Sequence, residues 1–474
     1  MAYRHGNRHE QSLFPASIED YVPADAPVRA YDAFVDALDF GDLGIDLDSC
    51  KVGNSPYDPR AMLKLLVYGY SYGVRSSRRL ERETHYNLSF IWLTGGLKPD
   101  HKTIAEFRRK HKGALSRVLK QCARFCLKLD LIAGNTLFVD GSKVRANASL
   151  SHHWTEDRCR KRLEKIDSRI EEILSECDLA DDQESGSGSL VAMQEELADQ
   201  QTLRRKVQET LKQLQSDQRS SVNTTDPDCV RIRGRQGSHA GYNMQTVVDE
   251  KQGLIVHADV VANNNDLGQL VNQTEQAHET LGRSCETVCA DAGYCNYDEL
   301  EKFDHEHTRV IVPSPRQAST KPAKPFDKSE FQYDCENDVY VCPAGEVLSF
   351  RCIEDKRRKI YRTEVGVCRQ CCHFGECTTS HKLGRKIVRY VNEELRERLQ
   401  SEYERPDSQA IYELRKQKAE LPFGHIKRNL NADHFLLRGL DGVRAEASLL
   451  ASCFNLARMI TLIGVPALIA KLAN

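Results

Sequence analysis

Short apolar runs that stop at a turn-forming residue, alternating with stretches of helical period, constrain this chain more than any other feature. Leu137-Phe138-Val139 ends at Asp140 and is followed by Gly141-Ser142, and the run from Thr287 to Ala290 ends at Asp291 and is broken by Ala292-Gly293. Runs this short, bounded by turn formers, read as strands, because a helix needs more residues to close its hydrogen-bond ladder. Tyr242 to Val248 and Leu254 to Val261 read as a hairpin around Asp249 to Gly253. A helix is expected from Asp266 to Leu281 and another near Tyr297 to Asp304, and Val310-Ile311-Val312 supplies a strand before Pro313. A chain that alternates in this way folds as an α/β protein.

Two other regions are helical. In the first 130 residues Pro59 stands at a helix start, and Met62, Leu65, Leu66 and Tyr70 follow at helical spacing. Helices from Arg75 to Leu88 and from Thr103 to Leu119 are separated by Gly95-Gly96 and Lys98-Pro99-Asp100, compatible with a helix-turn-helix-like DNA-binding unit. From Arg158 to Leu214 the apolar residues Leu163, Ile166, Ile170, Ile173, Leu174, Val207, Leu211 and Leu214 recur at helical spacing among many charges. Glu184-Ser185-Gly186-Ser187-Gly188-Ser189 between the two arms reads as a flexible connector, so this span is expected to be a helical hairpin inserted into the main domain. The resulting order of strand, insertion, two strands, helix, strand, helix, strand is that of an RNase H-like sheet. The expected domains are an all-α DNA-binding domain over 1–130, an RNase H-like domain begun over 131–150 and resumed over 223–320, and the hairpin insertion over 151–222. A Cys-rich, zinc-ribbon-like insertion over 321–395 precedes the C-terminal helices of the RNase H-like domain over 396–474.

At 474 residues the chain exceeds what one core usually organises. Its 40% hydrophobic and 29% charged residues argue against a disordered or membrane-embedded protein. Met1 to Pro23 has no apolar segment of signal-peptide length, and Ala447 to Leu472 is interrupted by Asn455, Arg458 and Pro466, which suits core helices better than a membrane span. The expectation is a cytoplasmic protein without a membrane partner. A formal net charge of -2 supplies no global attraction to nucleic acid, so any DNA binding must come from local patches. Candidate patches are Arg78-Arg79, Arg108 to Lys112, Arg231 to Arg235, Lys356 to Lys359 and Lys382 to Arg389.

Carboxylates at strand ends suggest a chemistry. Cleavage of a phosphodiester by two metal ions needs acidic side chains converging on both ions, and Mg²⁺ prefers such hard oxygen ligands. Asp140 and Asp291 each follow an apolar strand and precede a glycine-containing turn, although an aspartate in that position also caps turns. Tyr412, Arg415, Glu420 and Lys427 lie together in the segment from Ile411 to Lys427. Glu420 and Lys427 are seven residues apart and share a helix face if the helix continues through Pro422, which lacks an N–H and crowds the preceding turn. Glu413, also two turns from Glu420, is the alternative third acid.

Tyr412, Arg415, Glu420 and Lys427 resemble the tyrosine-arginine-glutamate-lysine signature of insertion-sequence DDE transposases of the IS-four-like superfamily, most closely the family numbered eleven eighty-two. The resemblance extends over Pro56 to Arg60, Ser76 to Leu80, Pro99 to Arg108, Val139 to Lys143, Gly241 to Gln245, Asn265-Asp266 and Ala290 to Tyr294. Four residues separate Arg415 from Glu420, where the general superfamily signature has three and the narrower family fits better. The resemblance implies an InsH-type N-terminal domain and a C-terminal DDE domain. It implies that Asp140, Asp291 and Glu420 are catalytic and hold two Mg²⁺ ions, with Mn²⁺ as a substitute, and that Tyr412, Arg415 and Lys427 contact the phosphates of the transposon end; Arg78 and Arg79, from the basic patches, are the further DNA-binding candidates. The implied partners are double-stranded transposon ends and target DNA, joined within a homodimeric synaptic complex in a bacterial cytoplasm, at the nucleoid when DNA is bound.

Seventeen cysteines in a chain read as cytosolic argue against a disulfide framework, and seven of them fall between Cys335 and Cys377. Cys342, Cys368, Cys371 and Cys377 offer four thiolates for one tetrahedral Zn²⁺, with Cys335, Cys352, Cys372 and His373 as alternative ligands.

Overall fold

The structure is a computed structural model that describes residues 17–47, 56–181, 187–216, 219–234, 237–320, 322 and 325–473. Among these residues the chain opens on helices α1 (Pro27–Asp36), α2 (Pro59–Ser71), α3 (Ser77–Tyr86), α4 (Leu88–Leu93), α5 (His101–Lys110), α6 (Lys112–Leu115) and α7 (Val118–Lys128). Strand β1 (Thr136–Arg145) leads to a short strand β2 (His153–Trp154), helices α8 (Glu156–Asp181) and α9 (Ser187–Ser216), and strands β3 (Val222–Asn223), β4 (Val230–Gly234), β5 (Gly237–Asp249) and β6 (Ile255–Val261). There follow α10 (Leu270–Leu281), β7 (Thr287–Ala290), α11 (Tyr297–Leu300), β8 (Arg309–Ile311), β9 (Gln332–Asp334), β10 (Val339–Val341), β11 (Val347–Glu354) and β12 (Arg358–Arg362). The chain closes with α12 (Val367–Gln370), β13 (Lys386–Tyr390), α13 (Glu393–Glu404), α14 (Pro406–Arg428), α15 (Leu440–Ile463) and α16 (Val465–Leu472). The described residues form two compact units: Met1–Asp266 with Asn272–Cys285 and Arg415–Asn474, and Leu267–Val271 with Glu286–Leu414.

In the first unit local chemistry sets where the helices begin. Asp58 accepts a hydrogen bond from the Arg60 N–H at 2.9 Å and Pro59 occupies the first helical position of α2, where no N–H is needed. Asp100 does the same for α5 by accepting from the Thr103 N–H at 2.6 Å. The core forms around α15, which packs on α2, α6, α7 and β6. This helix has the length and apolarity of a membrane span, yet 67% of its apolar window is buried inside the protein. Its polar interruptions are tied to backbone: Asn455 accepts from the Ile255 N–H at 2.9 Å and donates to the Ile255 carbonyl at 2.8 Å, and Arg458 donates to the Gln252 carbonyl.

The same unit holds an antiparallel sheet in which β5 pairs with β1, β4 and β6. Helices α8 and α9 pack against each other, with Cys159, Ile166, Val207 and Leu214 buried between them and Trp154 and Val222 paired at the base. Of the expected connector, 184–186 lies outside the described residues and Ser187 to Ser189 belongs to α9.

In the second unit β7 and β8 pair in parallel, and β9 to β13 form an antiparallel sheet in the order β13-β12-β11-β10-β9. Phe331, Tyr340, Leu348, Tyr361 and Ile387 make its core, with Cys342 and Cys377 packed at the margin. The Cys-rich segment is therefore a sheet with its own aromatic core, larger than the ribbon expected from the cysteines alone.

Candidate active site

Leu137, Phe138 and Val139 are fully buried, which anchors β1 and fixes the backbone that carries Asp140. The strand does not stop there, as the sequence suggested. It runs on through Gly141 to Arg145, with Asp140 opposite Thr246 and Gly141 opposite Gln245. Gly141 is needed for space and makes no turn: a Cβ at this position would lie 2.3 Å from Asp266 Oδ1 and 2.4 Å from Gln245 Nε2. Side chains alternate between faces along a strand, so Asp140 and Ser142 share one face and Gly141 and Lys143 the other.

On the Asp140 face, α14 supplies cations. Arg415, buried on this helix, places Nη1 3.5 Å from Asp140 Oδ1, with only 8% of the arginine side chain and 14% of the aspartate exposed. Asp140 Oδ1 also accepts from the Gly141 N–H at 2.9 Å. Twelve residues further along the helix, Lys427 Nζ donates to Ser142 Oγ at 2.5 Å and to the Lys143 carbonyl at 3.1 Å. Burial pulls the Lys427 ammonium below the usual lysine range, and the nearby Asp433 and Asp140 carboxylates pull it back up. A half-buried carboxylate beside a guanidinium and an ammonium is an arrangement that can bind a phosphate oxygen and, through the carboxylate, a hard cation.

The other acids stand as follows. Helix α14 continues through Pro422 to Arg428, so Glu420 and Lys427 lie on one flank, about 20° apart at 100° per residue. Glu420 is exposed on that flank, as is Glu413 nearer the helix start. Asp291 follows the fully buried strand β7 and caps the next turn, its Oδ1 accepting from the Gly293 N–H at 2.8 Å. It belongs to the second unit, as does Tyr412, whose ring packs edge-on against Tyr403 with centroids 5.1 Å apart. Arg78 and Arg79 are exposed in the first turn of α3.

On the opposite face of β1 the structure assembles residues from two stretches of the resemblance, Gly241 to Gln245 and Asn265-Asp266, that carry no assigned role. Asp266 Oδ1 accepts from Asn243 Nδ2 at 2.7 Å, Gln245 Nε2 at 2.8 Å and Lys143 Nζ at 3.0 Å. The available signal was Asn243 and Gln245, two polar side chains two residues apart on an otherwise apolar strand.

In the Cys-rich sheet, Cys342, Cys368, Cys371 and Cys377 line one cavity of about 30 Å³ together with His373. The Glu346 N–H donates to Cys342 Sγ at 3.3 Å and the Arg385 N–H to Cys368 Sγ at 3.4 Å. Burial raises the Cys377 thiol pKa; Arg385 lowers it, while the Cys368, Cys342 and Cys371 sulfurs raise it further. Cys335, Cys352 and Cys372 are exposed. Among the described residues, no group of three or more His, Cys, Asp or Glu side chains already stands in a metal-holding arrangement, at the carboxylates or at the cysteines.

Comparison with known families decides the class. Residues 16–110 match the family described as Transposase domain (DUF772), and residues 341–460 match the family described as Transposase DDE domain. The chain carries both domains of an insertion-sequence DDE transposase. The N-terminal match contains Arg78 and Arg79; the DDE match contains the four cysteines and Tyr412, Arg415, Glu420 and Lys427, while Asp140 and Asp291 lie outside both. No curated protein and no solved structure matches the transposase.

Proposed function

We propose that this transposase binds the double-stranded ends of its insertion sequence and catalyses Mg²⁺-dependent strand cleavage and strand transfer, using Asp140, Asp291 and Glu420 on an RNase H-like fold. The observation that carries this reading is the convergence of Arg415 and Lys427, twelve residues apart on α14, on the Asp140–Ser142 stretch of β1. An antiparallel set of strands begun by the aspartate-bearing β1, then a helix and the parallel pair β7 and β8, is also the element order of an RNase H-like domain.

Three carboxylates make an all-oxygen donor set, which suits two Mg²⁺ ions, with Mn²⁺ able to substitute. Bound there, the ions would activate the attacking oxygen and stabilise the leaving one. Arg415, with its paired N–H groups, and Lys427, as a point charge, hold the non-bridging oxygens of the scissile phosphate, and Tyr412, Arg78 and Arg79 contact flanking DNA. Water adds to phosphorus at the element's end and the 3′ oxygen departs as a hydroxyl. That hydroxyl then attacks a target phosphodiester in line, releasing a target 3′-hydroxyl. Two ends must meet, so the active form is a homodimer, working in the bacterial cytoplasm at the nucleoid.

Asp140→Asn, Asp291→Asn and Glu420→Gln should each abolish cleavage of DNA carrying the element's ends while leaving end binding intact. Retained cleavage in any one removes that residue from the site. Binding without cleavage by the parent protein would mark a transposase-derived DNA-binding protein, and cleavage without joining a site-specific nuclease. In the Cys-rich sheet we assign Cys342, Cys368, Cys371 and Cys377 as ligands of one structural Zn²⁺, supported by the shared cavity and the backbone N–H donors aimed at Cys342 and Cys368. Metal analysis of purified protein should find about one zinc per chain; a folded protein free of zinc rejects the assignment.

A further inference from the structure

We propose that Asp266 is a positioning residue for Asp140, acting through the backbone of Gly141 from the far side of the sheet. The inference rests on the reading of Asp140 as a catalytic carboxylate and adds a residue to it.

The geometry is specific. Asp266 Oδ1 sits where a side chain at position 141 would be, 2.3 Å from the place of the missing Cβ. It gathers hydrogen bonds from Lys143 on β1 and from Asn243 and Gln245 on β5, and Lys143 Nζ also reaches Asp266 Oδ2 at 3.2 Å. Gln245 is the register partner of Gly141, and Asn243 that of Lys143. A single carboxylate therefore clamps two adjacent register positions of the β1–β5 pair directly after Asp140. With 21% of its side chain exposed, Asp266 is well shielded, and its charge is matched by Lys143 at 3.0 Å.

Because faces alternate, none of these groups touches the ligand side of Asp140. What they fix is the peptide plane between residues 140 and 141, whose N–H also donates to Asp140 Oδ1. Freeing that plane tilts the carboxylate away from the Arg415 guanidinium that lies 3.5 Å from it. Outer partners of a metal-binding carboxylate typically contribute a factor of about 10 to 100 in metal affinity, and a shift of about 1 Å at a reacting centre can cost about 10²-fold in rate.

The test measures single-turnover cleavage of end DNA, end binding without metal, and Mn²⁺ affinity from the resonance signal of free Mn²⁺. Asp266→Ala should weaken Mn²⁺ binding about 10- to 100-fold and slow cleavage about 10²-fold, with end binding unchanged. Asp266→Asn, which keeps an oxygen acceptor for Asn243 and Gln245, should recover part of both. Gly141→Ala should mimic Asp266→Ala by displacing the carboxylate, and the double variant should be no worse than Gly141→Ala alone. Additive losses in the double variant, or Mn²⁺ affinity unchanged in Asp266→Ala, overturn the proposal. Asp140→Asn separates the two levels: if it is inactive while Asp266→Ala cleaves like the parent, only the positioning role fails, whereas an active Asp140→Asn protein overturns both.

Discussion

A buried charge pair, Arg75 with Glu446, holds the segment that follows the lysine end of α14. Arg75 Nη1 lies 2.8 Å from Glu446 Oε1, and the two side chains are 4% and 0% exposed. The pair is fully engaged: Arg75 also donates to the Asn431 and His434 carbonyls, and the second Glu446 oxygen accepts from the Leu436 and Leu437 N–H groups. Breaking such a pair from one side strands a charge in the interior, which costs about 3 to 5 kcal/mol. Glu446→Ala should therefore lower unfolding stability by about that amount in urea titration, and Glu446→Gln, which keeps an acceptor for the two N–H groups, by less. Equal losses in both variants would show that the backbone bonds contribute nothing. No local pattern marked Arg75 as a core residue, because its partner stands 371 positions away and an arginine next to Ser76-Ser77-Arg78-Arg79 reads as surface. The role of Asp266 escaped for a related reason: Asn265-Asp266 stands out as a stretch of the resemblance, but what Asp266 does lies in three contacts with side chains elsewhere in the chain.

At the level of elements, periodicity was legible where one face is buried against a partner. The run from Thr287 to Ala290 is a strand with the expected ends, and the hairpin arms carry their apolar residues at helical spacing, with Ile166, Val207 and Leu214 buried as that spacing implies. Gly141 misled because a glycine after an aspartate normally signals a turn, whereas here it makes room for a carboxylate. The sheet from β9 to β13 stayed hidden because its strands are short and charged: β11 reads Val-Leu-Ser-Phe-Arg-Cys-Ile-Glu, and of these Leu348 alone is buried. Its stability comes from aromatic contacts between strands, such as Tyr340 with Tyr361 at 5.1 Å and Arg389 stacked 3.7 Å above Tyr333, which single-strand patterns do not reveal. The hairpin makes a prediction of its own. Its buried cluster is formed by its two arms and the β2–β3 base, and its inter-helix ion pairs, Arg169 with Glu196 and Arg204 with Asp167, are internal. Replacing 155–221 by a short Gly-Asn turn between the paired ends of β2 and β3, Trp154 and Val222, should therefore leave the remaining chain folded with an unchanged thermal midpoint. Loss of cooperative unfolding in that deletion would show that the hairpin supports the rest of the molecule.

For the molecule as a whole, a net charge of -2 at pH 7 keeps overall repulsion small near neutrality, and individual buried groups add a pH dependence of their own as acid is added. His257 on β6 is the clearest of them. Its ring is half-buried with Nε2 sealed from solvent and, among the described residues, without a hydrogen-bond partner. Burial pushes its pKa down to about 4; Asp259 and Glu279 oppose that shift while Lys120 and Arg444 reinforce it. These four neighbours are already paired, Lys120 with Glu279 at 3.6 Å and Arg444 with Asp259 at 2.7 Å, so protonation would insert a third cation between two ion pairs. The native imidazole stays neutral down to a lower pH than the unfolded one, whose pKa is about 6.5. Below that value the unfolded chain binds the extra proton first, and stability falls as the pH drops from about 6.5 towards 4. The decline is complete once the pH is well below the folded value. Urea unfolding at intervals between pH 7 and pH 4 should show this decline in the parent protein and a flatter profile in His257→Leu, whose side chain takes up no proton. Parallel profiles in the two proteins would assign the acid sensitivity to other groups.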